Sequence, residues 1–210
     1  MPSDIERLWS RLWTARFNPA QPRLRFELGG ESFGNTTQPV ARFLQAHRRA
    51  SAIADMLFQT DCHGIVAWDG RPPCSTGLPE DVQDGFGAIG ATGFRAPLLS
   101  EWMANLYPDP EDDDDVWVLR SYDLATSTSD RDVLLWHSIA GEMPIYPSAR
   151  VHTFLIDVRA SLLMHVYDDR GVDVIADDPD SLRALYTHCD TWLLDHDRER
   201  MNMLFDRSLS

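Results

Sequence analysis

The fold is decided between residues 151 and 175, Val151-His152-Thr153-Phe154-Leu155-Ile156-Asp157-Val158-Arg159-Ala160-Ser161-Leu162-Leu163-Met164-His165-Val166-Tyr167-Asp168-Asp169-Arg170-Gly171-Val172-Asp173-Val174-Ile175. Three apolar, β-branched runs, Val151 to Asp157, Leu162 to Tyr167 and Val172 to Ile175, are separated by turn candidates near Arg159-Ala160 and through Gly171. Runs of this length joined by short turns are strands that pair with their neighbours in sequence. A β-meander is therefore expected at this end of the chain.

Working upstream, Val116-Trp117-Val118-Leu119 continues to Tyr122 as a buried strand, and a helix from about Asp130 to Ala140, capped by Ser129, is anchored by Leu134, Leu135 and Ile139. Ile65 to Trp68 is a short strand closed by Asp69-Gly70 and Pro72-Pro73. Pro39 opens a long helix whose Val40, Phe43, Leu44, Ala50, Ile53, Ala54, Leu57 and Phe58 share an apolar side, leaving Arg42, Arg48 and Arg49 to face water. Leu24, Phe26 and Leu28 alternate with Arg25 and Glu27, the pattern of a strand with one covered face. Ser3-Asp4-Ile5-Glu6 has the form of a capping box, followed by Ile5, Leu8, Trp9, Leu12 and Trp13 at helical spacing to about Ala15.

Downstream, Asp177-Asp178-Pro179-Asp180 starts a final helix whose stripe of Leu182, Leu185, Tyr186, Cys189, Trp192, Leu193 and His196 is expected to cover the sheet. The sum is a single α+β domain over 1–210, with a mixed, largely antiparallel sheet of about five or six strands, a C-terminal β-meander and packing helices. Residues 70–115 are expected as a loop-rich acidic insertion of long loops and short helices. It ends in Pro108-Asp109-Pro110-Glu111 and the run Asp112 to Asp115, which lacks the alternating ligands and central Gly of a calcium loop and reads as a solvated loop.

The chain has a formal net charge of −14 and its 19 basic residues are all Arg. An acidic surface of this kind repels a phosphate backbone, so direct nucleic-acid binding is not expected, whereas a basic protein partner is electrostatically natural. No apolar stretch is long enough to span a bilayer, and the N-terminus has no signal-like pattern, so a cytoplasmic location without membrane contact is expected. Cys62, Cys74 and Cys189 are odd in number and form no CxxC pair, which fits reduced thiols better than disulfides and gives Cys62-His63 no second pair for zinc.

Several strings resemble catalytic or binding motifs without their context. Gly85-Phe86-Gly87-Ala88-Ile89-Gly90 matches GxGxxG, but it follows polar residues instead of a strand and is expected as a flexible loop. His47, His137 and His152 have no GxSxG nucleophile to serve, and His188, Asp190, Asp195, His196 and Asp197 spread around their helix as caps and surface pairs. No catalytic, cofactor-binding or metal-ligating residue is assigned, and no cofactor is expected.

The candidate functional hairpin is Asp168, Asp169, Arg170 and Asp173. A two-residue loop at Arg170-Gly171 would set Asp168 opposite Asp173, a like-charge pairing that favours a bound cation. A three-residue loop, Asp169-Arg170-Gly171, would put Gly171 in the left-handed position, Asp168 opposite Val172 and Asp173 opposite Tyr167, separating the carboxylates. The second register suits the glycine better and is the expected one.

Arg25-Phe26-Glu27-Leu28-Gly29, the helix with Arg48-Arg49-Ala50, the string from Tyr167 to Val174, and Trp192-Leu193-Leu194 with Asp197-Arg198 resemble a bacterial family of uncharacterised proteins, domain of unknown function 3885. The motifs run in the family's order from about residue 23 to 205, leaving 70–115 unmatched. The resemblance implies a bacterial source and one domain, and assigns no activity to any residue. By analogy, small acidic families of this kind include immunity proteins that neutralise a toxin by binding it. The expected function is thus a non-enzymatic protein-binding module, such as an immunity protein, with a basic partner such as a toxin. The alternatives are a metal-dependent hydrolase at the acidic hairpin and a structural or regulatory subunit.

Overall fold

Ser3 opens the first helix as its sequence indicates, its hydroxyl accepting the Glu6 N–H at 3.1 Å. Helix α1 (Asp4–Ala15) then turns Ile5, Leu8, Trp9, Leu12 and Trp13 to one buried side. The computed structural model describes residues 1–30, 32–34, 36–73, 76–107, 116–124 and 127–206. After α1 come β1 (Arg23–Glu27), α2 (Pro39–Leu57), β2 (His63–Trp68), α3 (Gly85–Ala91), β3 (Leu98–Asn105), β4 (Val116–Asp123) and α4 (Thr128–Ala140). The meander β5 (His152–Asp157), β6 (Leu162–Val166) and β7 (Gly171–Ala176) leads into α5 (Asp180–His188), two 3-10 turns at Asp190–Trp192 and Asp195–Asp197, and α6 (Arg198–Asp206).

The strands form a seven-stranded sheet in the order β1-β7-β6-β5-β2-β4-β3. Every pairing is antiparallel. Because side chains alternate across a strand, β6 sends Leu162, Met164 and Val166 to one face and Leu163 and His165 to the other. The first face carries the larger core, in which Phe43, Ile53, Leu134, Leu182 and Phe205 from α2, α4, α5 and α6 cover Phe26, Val66, Leu155 and Val174. On the second face α1 is the one helix that supplies cover among the described residues, with Leu106 beside it, setting its tryptophans on Ile65, Leu119, Phe154, Leu163 and Ile175. Burying each such large side chain contributes about 1.5–3 kcal/mol, so one short helix suffices to seal the middle of that face.

The structure corrects several expectations. The sheet has seven strands and no parallel pair, because Leu98–Asn105, inside the segment expected as loops, is the eight-residue edge strand β3. Gly85 to Gly90 is helical, not a loop, and Asp84 caps it by accepting the Gly87 N–H at 2.6 Å, filling the position that a phosphate would use. The α4 cap is Ser127, not Ser129, with its hydroxyl accepting the Asp130 N–H. The C-terminal stripe does not lie on one helix: α5 stops at His188, Trp192 is half-buried and His196 is exposed. Val40 and Leu44 of α2 also face solvent, and Ala46 takes a place in the core instead. The acidic run 111–115 and Cys74 lie outside the described residues, while Cys62 and Cys189 are free and buried.

Candidate functional site

The acidic hairpin adopts neither register expected for it. Val166 pairs with Val172 and His165 with Asp173, and the Tyr167 N–H donates to the Gly171 carbonyl, so the loop is Asp168-Asp169-Arg170. Gly171 is absent from the positive-φ positions; a β-carbon there would instead fall 2.1 Å from the Tyr167 hydroxyl oxygen and 2.8 Å from the Phe26 carbonyl oxygen. Glycine is needed for close approach, not for a left-handed turn.

Each of the three buried carboxylates has its own arginine. Asp168 accepts the Arg170 backbone N–H at 2.6 Å and its Nε–H at 2.7 Å. Asp169 is bonded by Arg42 Nε, while Arg42 Nη1 reaches the carbonyls of Gly30 at 2.6 Å and Phe33 at 3.0 Å. Asp173 lies directly across β1 from Arg25, whose Nε donates to it at 2.9 Å and whose Nη1 donates to Asp197 at 2.8 Å. Burial opposes the charge on Arg25, but the charges and hydrogen bonds of Asp173 and Asp197 more than offset it and hold its pKa above the usual value. Burial likewise works against the Asp197 carboxylate, and its bond to Arg25 reverses that and keeps its pKa below the ordinary range. Next to this cluster, burial, with Asp173 adding to it, pushes the Tyr167 phenol up to about 12. Chemically, these charge-assisted bonds fasten the hairpin to β1 and α2.

The same contacts gather the four motifs at one edge of the sheet. Leu193 forms a bridge to Phe26, the Leu194 N–H donates to the Arg25 carbonyl at 2.8 Å, and the Arg25 N–H is covered by the Met201 sulfur at 3.4 Å. Arg49 donates to the Glu27 carbonyl at 3.0 Å and lies over the Trp192 ring at 5.4 Å. Arg42 and Arg49, expected to face water, thus grip the end of β1. Arg48 is exposed. The outer side of β1 is closed by the chain's own C-terminal segment.

Two of the scattered histidines, His137 and His188, are accounted for locally. His137 accepts the Ala149 N–H at 3.0 Å, meets the Thr92 hydroxyl at 2.8 Å, and is pushed by burial down to about 4. His188 lies 2.8 Å from the Ala184 carbonyl, and Asp190 pairs with Arg198 at 2.5 Å. Among the described residues no group of three or more His, Cys, Asp or Glu side chains is placed to hold a metal ion.

The opposite edge is built differently. β3 pairs only with β4 among the described strands, after a register shift between Leu98 and Ser100. One side of it is anchored: Trp102 meets Trp9 of α1 edge-on at 6.0 Å, and Ser100 bonds Ser121 at 2.7 Å. Its other positions face solvent, with Leu98 54%, Leu99 48% and Met103 68% exposed, beside Val116 of β4 at 45%. Glu101 lies among them, paired with Arg120 at 2.7 Å. The chain that follows β3 carries Asp109, Glu111 and Asp112 to Asp115. This edge was missed from the sequence, although the alternation of Ser100, Trp102 and Ala104 with Glu101, Met103 and Asn105 has the period of a strand.

A fully antiparallel seven-stranded sheet with helices on both faces, one edge closed by the chain and the other left open by the described residues, defines an α+β protein. The chain belongs to the family described as Domain of unknown function (DUF3885), matched over residues 1–197. The match takes in 70–115 as well as most of the motif-bearing segments. No curated protein and no solved structure matches the chain. No helix is long and apolar enough to cross a membrane among the described residues.

Proposed function

We propose that the chain is a non-enzymatic protein-binding module that receives an extended, basic segment of a partner protein along β3. The observation that carries this reading is the eight-residue edge strand with Leu98, Leu99 and Met103 exposed. An open edge presents unpaired N–H and C=O groups to any passing strand, and proteins ordinarily blunt it with lysine, proline or bulges. Here the chain has no lysine, and the register shift disturbs only the first residues of the strand. Strand addition would pair the free backbone groups, and alternate side chains of the partner would cover the exposed apolar ones. A net charge of −14 supports a basic partner, because it speeds encounter and discourages acidic competitors. A basic toxin neutralised by this chain as its immunity protein is the partner class the reading names, by analogy with other small acidic families. In the hairpin, the pairing of each carboxylate with an arginine supports anchoring over hydrolase chemistry.

The test is fluorescence anisotropy with a labelled octapeptide of alternating arginine and valine, and a glutamate-valine peptide as control. Saturable binding of the basic peptide that weakens steeply with added salt, as attraction screened over about 10 Å at 0.1 M requires, is the expected result. Equal binding of both peptides, or indifference to salt, would overturn the reading.

A further inference from the structure

A second feature lies away from both edges, at the end of the sheet where β4 and β5 begin and α4 ends. There a half-enclosed cavity of about 270 Å³ is bounded by Trp117, Glu142, Arg150, His152 and Tyr167, by Gly141 at the helix terminus, and by Asp69, whose buried carboxylate is neutralised by its ion pair with Arg71 on the same lining. Two of the residues that line it carry hydrogen-bonding capacity that no described residue uses. Trp117 is 5% exposed, and its Nε1 is buried without a partner among the described residues; the same holds for Nδ1 of His152, whose ring lies 5.1 Å from that of Trp117. Buried polar atoms are nearly always satisfied by protein, water or ligand, so two orphans on one cavity wall need an explanation.

The charges at the mouth have opposite signs. Arg150 is exposed and makes no hydrogen bond or ion pair with any described residue. Among the described residues Glu142 is held only by Arg170 at 3.5 Å, with both side chains about two-thirds exposed, a contact that water competes with readily. Glu142 follows directly on the C-terminus of α4, where the helix dipole adds negative potential. A ligand suited to these groups carries an anionic group for Arg150 and the Trp117 N–H, and a cationic group for Glu142 and the helix end. From this juxtaposition we infer that the cavity binds a free α-amino acid with a short polar side chain, carboxylate toward Arg150 and ammonium toward Glu142.

This inference does not rest on the open edge, and its test uses other residues. Isothermal titration and amide and indole NMR of the full chain with L-serine and L-glutamine should show saturable binding that shifts the Trp117 indole signal. The N-acetyl derivatives, which lack the ammonium, and the amino-acid amides, which lack the carboxylate, should each bind at least tenfold more weakly. Arg150→Gln and Glu142→Gln, both at exposed positions, should cause comparable losses, and Trp117→Phe a smaller one. Absence of saturable binding at millimolar concentration, full binding of the blocked derivatives, or binding unchanged by Arg150→Gln would overturn the assignment.

Discussion

The two edges of the sheet solve the same problem in opposite ways. β1 ends in backbone groups that would be free, and the chain returns its own residues 193–201 to cover them, pinning the cover with Arg25 between Asp173 and Asp197. β3 ends in similar groups and receives no such cover from the described residues; its exposed side chains are Leu98, Leu99 and Met103, with Glu101 among them. An arginine paired with two carboxylates is costly to desolvate and gains most from geometry, so it suits a permanent contact. An apolar edge costs little to leave exposed and gains when it is covered, so it suits a contact that forms and dissolves. The difference teaches that the acidic hairpin, the most conspicuous string in the sequence, belongs to the permanent edge.

The largest effect should come from breaking the closed edge. Arg25→Met leaves Asp173 and Asp197 with only the longer ion pairs to Arg23, at 3.7 and 3.9 Å, and should cost about 3 kcal/mol, read from urea unfolding. A loss under about 1 kcal/mol would mean that the ion pairs are not what closes β1.

Acid should act in two stages that distinguish the shared core from this edge. His137 is neutral in the fold because burial lowers its pKa to about 4, while the unfolded chain takes up the proton near 6.5. Below pH 6.5 the unfolded state therefore binds more protons and stability falls, by about 2 kcal/mol at pH 5 from this residue alone. Burial lowers His152 and His165 in the same direction. Asp197 has a depressed pKa, so its contribution is present above the unfolded carboxylate value and is lost as the pH falls through the folded one. Urea midpoints measured from pH 7.5 downward should first decline for the whole protein. Arg25→Met should share that first decline and lack the second.

Trp192→Ala sharpens the account of what covers β1. With the ring half-buried, one side against the larger core and Arg49 over the other, the cost should be about 1–2 kcal/mol, below the roughly 3–5 of a fully buried tryptophan. A cost at the upper figure would mean that the C-terminal segment packs more tightly than the structure shows.

Where sequence pattern and structure agree, the cause is local. The α1 stripe, its Ser3 cap and the three meander strands depend on periodicity and capping alone, and they lie where the residues indicate within one or two positions. What was not legible depends on contacts distant in sequence. The hairpin register was judged from the glycine's turn preference, but Gly171 is required by Tyr167 and by Phe26, which lies 145 positions upstream (171 − 26). Arg42 and Arg49 read as a solvated helix face because nothing nearby in sequence reveals the carboxylate and carbonyls they reach. β3 was obscured by the glycines and prolines around it, although its own eight residues contain neither. The open edge was thus the least legible part of the candidate site.

The smallest effect on stability is expected where the largest effect on binding should occur. Met103→Lys, on an exposed position of β3, should change unfolding stability by less than about 0.5 kcal/mol. It should still abolish binding of the basic octapeptide, since it sets a cation on the edge that the peptide must join. A stability loss above about 1 kcal/mol would show that Met103 is packed against something else.

Residue-resolved amide exchange of the protein, free and saturated with that peptide, tests the contrast between the edges most directly. In the free protein the amides of Arg25 and Leu194 should be protected, whereas the amides on the outer side of β3 should exchange nearly as fast as unstructured chain. With peptide bound, the β3 amides should slow at least tenfold and those of β1 should not change. Protection along β3 without any peptide, or protection by the peptide elsewhere than on β3, would contradict the claim that this edge is the open, binding one.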